Sequence, residues 1–320
     1  MIYYVTKQIE IEHVFEVVTI DDVVDYFKDK DEIQIDTETE GVFNFVNEVL
    51  LLQLGDFDNQ YVINFQELTP DEKCKINTLL VDSTKTKLLH NSKFDIKFLW
   101  FHGMDIVNVY DTMLAECILY TGKDTEKGFY SLLSLVKRYI NSDIVLDKQT
   151  RGKIRYGITT RVIEYAANDV KYLGKIKARQ HKQMIEFNLA KQDHQDIYTT
   201  CGLEMQSVLG FAAIEYNGMY LDRAKWSIVK KQVHKEVDEV SKSIDTIVHN
   251  EPKLSKYAVH YQDLFTSAFP TTNVNWSSPK QKLEVLQCLF PKIESTGERV
   301  LSRYKGLIKL KSLPQLLLIN

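Results

Sequence analysis

The 320-residue chain predicts an α/β fold, a mixed sheet flanked by helices, followed by a mostly α-helical region. Three observations predict it. Apolar or alternating runs at Glu32 to Asp36, Val49 to Gly55 and Tyr61 to Asn64 read as strands. Helix signals then alternate with a further strand at Lys87 to His90. From Trp226, apolar residues recur at Val229, Val233, Val237, Val240, Ile244 and Ile247, and no strand-rich stretch follows. Steps of three and four make that segment a long amphipathic helix with a narrow seam.

Residues 1 to 18 alternate weakly and predict a strand or hairpin at an added edge. Thr19-Ile20-Asp21-Asp22 reads as a helix cap before Val23, Val24, Tyr26 and Phe27. After the three strands, Thr69-Pro70-Asp71-Glu72 opens a helix, with Pro70 suited to its first turn. Ser92 to His102 predicts the next helix, Asp111-Thr112 caps another through Tyr120, and residues 131 to 140 form one more. Residues 141 to 157 show no clear periodicity and lead into a long helix from about Thr160. The polar stretch from Lys191 to Asp196 has neither Pro nor Gly and reads as a helix-to-helix junction. It sets the expected boundary between residues 1–190 and residues 191–320.

Length allows two domains with sizeable cores. No apolar run is long enough to span a bilayer, and the start lacks a signal-peptide pattern, so the expectation is a cytoplasmic protein with no membrane partner. Cys74, Cys117, Cys201 and Cys288 lie far apart without a Cys-x-x-Cys, which argues against a zinc site or a disulfide frame. Net charge is −4, so global charge does not announce nucleic acid. Local charge differs: residues 137 to 180 hold eleven Lys or Arg against four Asp or Glu. Arg151, Lys153 and Arg155 stand just ahead of Tyr165 and Asp169. A solvated loop and a set of phosphate contacts both fit; the position beside acidic residues favours the second.

The chemistry concentrates in three pairs. Asp36 and Glu38 share one face of the strand Ile-Gln-Ile-Asp-Thr-Glu. Asn91 and Asp95, then Tyr165 and Asp169, have the i, i+4 spacing that stacks side chains on one helix face. Together they can set four carboxylates and a phenol around one point. Carboxylates so placed repel one another unless hard divalent cations sit between them.

Asp36-Thr37-Glu38, Asn91-x3-Asp95 and Tyr165-x3-Asp169 resemble, in order and element, the motifs of the DEDDy branch of the DnaQ-like 3′–5′ exonucleases. The resemblance covers residues 30 to 180 and implies an RNase H-like fold. It also implies hydrolysis of the terminal phosphodiester at a single-stranded 3′ end of DNA, with two divalent ions, Mg²⁺ or Mn²⁺, as cofactors. By that likeness Asp36 bridges both ions, Glu38 and Asp169 complete the site for the nucleophilic water, and Asp95 supports the second ion partly through water. Tyr165 orients the water; an ordinary phenol is too weakly acidic to serve as base. Asn91 is expected either to support the site from outside the ligand set or to contact the substrate strand, rather than to bind a metal. Phe43 and Phe45 either stack on the single-stranded end or pack the hairpin that carries them. Asp111 reads as an N-cap and not a fifth ligand, Glu40 lies past the strand end, His90 and His102 read as structural, and Phe94 and Phe98 as core.

A second resemblance follows. Leu203 to Leu209, Ile214 to Asp222 and Asn275 to Gln281 are similar to the thumb of family A DNA polymerases, and Thr296-Gly297-Glu298 and Lys309 to Ser312 continue it more loosely. It implies a duplex-binding, thumb-like region. The palm and finger motifs are missing, so this chain alone is not expected to synthesise DNA; a separate chain carrying palm and fingers and a longer polymerase of which this is a part both fit. RNase D is similar too, through Leu146 to Gln149 and Tyr165 to Val170, and leaves a 3′–5′ exoribonuclease as an alternative. A non-catalytic DNA-gripping subunit is the other.

Overall fold

A computed structural model describes residues 1–7, 14–146, 150, 154–190, 196–259 and 271–305. The chain divides into two compact units, Met1–Gly218 and Met219–Asn320.

In the first unit, seven strands form one sheet. They are β1 (Ile2–Val5), β2 (Glu16–Val17), β3 (Glu32–Thr39), β4 (Val49–Gly55), β5 (Gln60–Asn64), β6 (Thr86–Leu89) and β7 (Val109–Asp111), in the order β2-β1-β5-β4-β3-β6-β7. β3, β4 and β5 are antiparallel neighbours; β6 joins β3 and β7 joins β6 in parallel. The first residues do add an edge, but β1 and β2 pair in parallel, so the hairpin alternative falls. β7 was not legible: three residues are too few to show alternation.

Helices cover both faces. They are α1 (Ile20–Phe27), α2 (Pro70–Leu80), α3 (Lys93–Phe101), α4 (Thr112–Leu119), α5 (Leu132–Tyr139), α6 (Thr160–Lys171), α7 (Leu173–Ala190) and α8 (Ile197–Asn217). The expected starts hold. Thr19 and Thr69 each close a capping box with Asp22 and Glu72, and Pro70 sits in the first turn. Such caps contribute about 1 kcal/mol each. The long helix expected from Thr160 is interrupted at Tyr172, which separates α6 from α7.

All seven residues of β4 are buried, which explains its unbroken apolar run. Leu52 and Leu54 join Ile33, Ile35, Phe27, Ile76, Ile96, Phe98 and Leu99 on one face. Leu51 joins Tyr4, Val62, Val162, Ile163, Ala166 and Ala167 on the other. The second face is the one α6 covers, and it is also the face on which Asp36 and Glu38 stand.

α8 belongs to this unit. It packs on α3, α4, α7 and β7 and buries Cys201, Met205, Val208 and Ala212. The compact division therefore follows Gly218, later than the boundary near residue 190 that the polar junction suggested.

The second unit is mostly helical: α9 (Arg223–Asn250), α10 (Pro279–Leu289) and α11 (Glu298–Lys305), with β8 (Ala258–Val259) and β9 (Thr271–Thr272) as a small antiparallel pair. The seam of α9 splits in two. Ile244, Ile247 and Val248 pack with Leu254, Val274 and Val285, whereas Trp226, Val229, Val233 and Val237 are exposed.

Candidate active site

β3 delivers the first pair as expected. Asp36 is half-buried, Glu38 is buried, and the register shifts at Glu38/Thr39, where the strand ends. Glu40 lies beyond it and is exposed. α6 runs over the same face and presents Tyr165 and Asp169 one turn apart, while Val162, Ala166 and Val170 bury its sheet side. Asp36, Glu38 and Asp169 each offer a carboxylate oxygen, and these oxygens lie within 4.8 Å of one another. Three carboxylates at that spacing form a donor set suited to hard divalent cations.

The phenol of Tyr165 is half-buried beside them. Burial raises its pKa, and the charges of Asp169 and Glu38, a hydrogen bond to Asp169 and the charge of Asp36 raise it further. It therefore keeps its proton at neutral pH and acts as a hydrogen-bond donor.

Asp95 lines the same cavity but stands outside the three-carboxylate group. Its Oδ1 accepts hydrogen bonds from the Thr37 amide (3.0 Å) and the Thr37 hydroxyl (2.6 Å). Burial pushes its pKa up to about 7, with the Asp111 charge adding to the rise against those hydrogen bonds. Thr37 was not legible as a site residue, because its role depends on a neighbour 58 positions away.

Asn91 departs from the expected geometry. It is not on the helix with Asp95: α3 begins at Lys93, and Asn91 occupies a left-handed turn with φ +65°. Asparagine tolerates that conformation better than other non-glycine residues. The turn is held by Asp111, whose carboxylate accepts from the Asn91 amide (3.0 Å), the Ser92 amide (2.7 Å) and the Ser92 hydroxyl (2.8 Å). The same carboxylate caps α4 through the Met113 (2.9 Å) and Leu114 (3.2 Å) amides. Asp111 is thus the expected cap, and also a clamp on the second motif. His90 bonds the Thr112 hydroxyl at 2.9 Å, and burial holds its pKa down at about 4, so it is a neutral structural histidine that borders the cavity. His102 packs on Phe65 near Glu48 and is likewise pushed down by burial.

The cavity has a volume of about 400 Å³. Its acidic side carries Asp36, Glu38, Asp95 and Asp169; Phe94, Met113, Leu132, Leu133 and Leu146 supply an apolar wall. Phe94 is therefore a lining residue that also packs on Phe98, not core alone. A buried network fixes the wall. Glu116 on α4 accepts from Tyr139 (2.9 Å) and from Gln180 on α7 (2.8 Å) and pairs with Arg138, which fastens α5 and its Leu132 and Leu133.

Phe43 and Phe45 lie outside this wall, on the loop between β3 and β4, at 68% and 57% exposure. Phe45 packs against Phe101 and Tyr216, so the packing alternative accounts for part of it; Phe43 has no such ring contact among those of the described residues. The loop turns at Gly41, where a Cβ would come within 2.6 Å of Asn47 Oδ1. Arg151 and Lys153 lie outside the described residues, and Arg155 falls in a short 3₁₀ turn, Ile154–Tyr156.

Residues 11–185 match the family described as 3′–5′ exonuclease, more than half of the chain. The chain belongs to that family. Among relatives of this exonuclease, DNA polymerase I of Aquifex aeolicus is 25% identical over 223 residues, 65% of this chain and 36% of the relative. Ribonuclease D of Pseudomonas paraeruginosa is 28% identical over 145 residues, 45% of this chain and 37% of the relative. The chain thus spans little more than a third of these two curated relatives. NrnC of Brucella melitensis has the same fold, with a TM-score of 0.50 at 19% identity over 68% of this chain and 93% of that one. The exonuclease unit is the RNase H-like arrangement that the motifs implied. No described helix is long and apolar enough to cross a membrane.

Proposed function

We propose that this exonuclease removes nucleotides one at a time from the 3′ end of DNA by two-metal hydrolysis, as the proofreading part of a family A polymerase. The observation that carries the chemistry is the convergence of Asp36, Glu38 and Asp169 oxygens within 4.8 Å, in one cavity with Asp95 and Tyr165. Bound there, two divalent ions (Mg²⁺ or Mn²⁺) would lower the pKa of water and neutralise charge on the attacking and leaving oxygens. Asp36, Glu38 and Asp169 are the direct ligands in this reading. Asp95, held back by Thr37, would help to hold the second ion through water. Tyr165 hydrogen-bonds Asp169 in this structure; with the ions holding that carboxylate, its hydroxyl would instead donate to the attacking water and orient it, without taking its proton. Phe94, Met113 and the α5 leucines exclude bulk water and seat the terminal nucleoside, while Asn91 at the rim contacts the strand. Phe43 and Phe45 stack on the following bases, and Arg151, Lys153 and Arg155 contact phosphates.

DNA is preferred to RNA on one ground. The stretch similar to DNA polymerase I is 223 residues, longer than the exonuclease match of residues 11–185, and so takes in sequence beyond it. Lys230, Lys231, His234 and Lys235 on α9 give the second unit a basic face suited to duplex phosphates.

End-labelled single-stranded DNA and RNA, incubated with Mg²⁺ beside an EDTA control and Asp36→Ala, test the proposal. Stepwise 3′ shortening of DNA is expected, abolished by EDTA and lowered at least about 10³-fold in the variant. Preference for RNA would assign the chain to the ribonuclease D-like reading. Cleavage of neither would leave a DNA-gripping subunit.

A further inference from the structure

Register, burial and hydrogen bonding together single out Gln53. It is the β4 residue directly opposite Asp36, so the two side chains share the face that α6 covers. Its side chain is fully buried, and neither its Nε2 nor its Oε1 has a hydrogen-bond partner. α6 leaves little room above it: two residues along β4, a Cβ on Gly55 would lie 3.1 Å from Val170 Cγ2. Gln34 provides the contrast. It stands on the same face two residues before Asp36, is also buried, and its Oε1 accepts from the Gly174 amide at 2.7 Å. A buried amide with no partner costs free energy that an apolar residue of the same size would not. Such a group calls for a specific explanation.

We propose that Gln53 is a positioning residue for Asp36. With cations bound, its Nε2 would donate to the Asp36 carboxylate across the β3–β4 pair and so hold the direction in which that carboxylate points. This rests on the reading of Asp36 as a cation ligand. Ligand carboxylates are ordinarily held by such outer hydrogen bonds, and losing one lowers metal affinity about 10- to 100-fold.

Gln53→Met in the full chain keeps the volume and removes the donor. The readouts are Mn²⁺ affinity by electron paramagnetic resonance and thermal unfolding in EDTA. The expected result is about 10- to 100-fold weaker Mn²⁺ binding, with metal-free unfolding unchanged or at higher temperature. Gln53→Leu serves as a second variant if Met is not accommodated. Mn²⁺ affinity within twofold of the parent would overturn the proposal, and so would loss of metal-free stability in both variants, since Gln53 would then serve packing alone. Asp36→Ala is the control. If it binds Mn²⁺ as the parent does, the assignment of Asp36 itself fails; if it loses binding while Gln53→Met does not, only the positioning role fails.

Discussion

Asn91–Asp95 and Tyr165–Asp169 have the same spacing and reach the same cavity, yet the chain builds them differently. Tyr165 and Asp169 sit one turn apart within α6, where helix geometry alone aligns them. Asn91 precedes α3 in a left-handed turn, and only Asp95 is helical. A regular helix needs no outside support to place two side chains. A left-handed turn does, and Asp111, twenty residues away, gives it through four groups of the Asn91–Ser92 and Met113–Leu114 backbone and one hydroxyl. Identical spacing in sequence therefore hides one self-sufficient pair and one that depends on a distant clamp.

The clamp is where the largest effect is expected. Asp111→Ala strands five donors, two buried and three partly buried, and removes the α4 cap, so we expect a loss of about 3–5 kcal/mol of folding free energy. Urea unfolding measures it. No helix-borne residue of the Tyr165 pair should approach that loss, and an Asp111→Ala protein as stable as the parent would mean that the turn supports itself.

The self-sufficient pair is instead expected to show its effect in rate. Tyr165→Phe keeps the ring and removes the donor, so the cleavage rate should fall about 10- to 100-fold, the equivalent of one hydrogen bond to a charged group. Stability and Mn²⁺ affinity should change little. Because burial and three neighbouring carboxylates raise the phenol pKa, the hydroxyl stays protonated on both sides of neutrality. The pH–rate profile of the variant should therefore keep the parent's shape at lower amplitude. A limb that disappears with the hydroxyl would make Tyr165 a titrating base instead.

The contrast also explains which parts could be read in advance. Strands β3 to β5, the capping boxes at Thr19 and Thr69, and the Tyr165 pair depend on residues within one turn or one strand of each other, and periodicity reveals such things. Thr37 holding Asp95, the α5 leucines in the cavity wall and the unpartnered amide of Gln53 depend on contacts between elements, which no local pattern encodes. The compact division after Gly218 belongs with these: residues 191–195 of the polar junction lie outside the described residues, and burial of Cys201, Met205 and Val208 decides on which unit α8 packs.

The smallest effect separates conformation from chemistry at Asn91. In the left-handed region an alanine costs about 1–2 kcal/mol and a glycine close to nothing. Asn91→Ala should lower stability by about 1 kcal/mol, while Asn91→Gly should leave it near the parent value, both read by urea unfolding. The two should agree in rate if the side-chain amide touches the substrate, since both lack it, and the loss should appear in KM. Were Asn91→Gly to cleave like the parent, the asparagine would be there for its backbone alone, and the second motif would contribute Asp95 as its one chemical group. The Tyr165 pair has no such division to make, because both residues lie in the regular helix α6 and need no special backbone, so a substitution there reads the side chain alone.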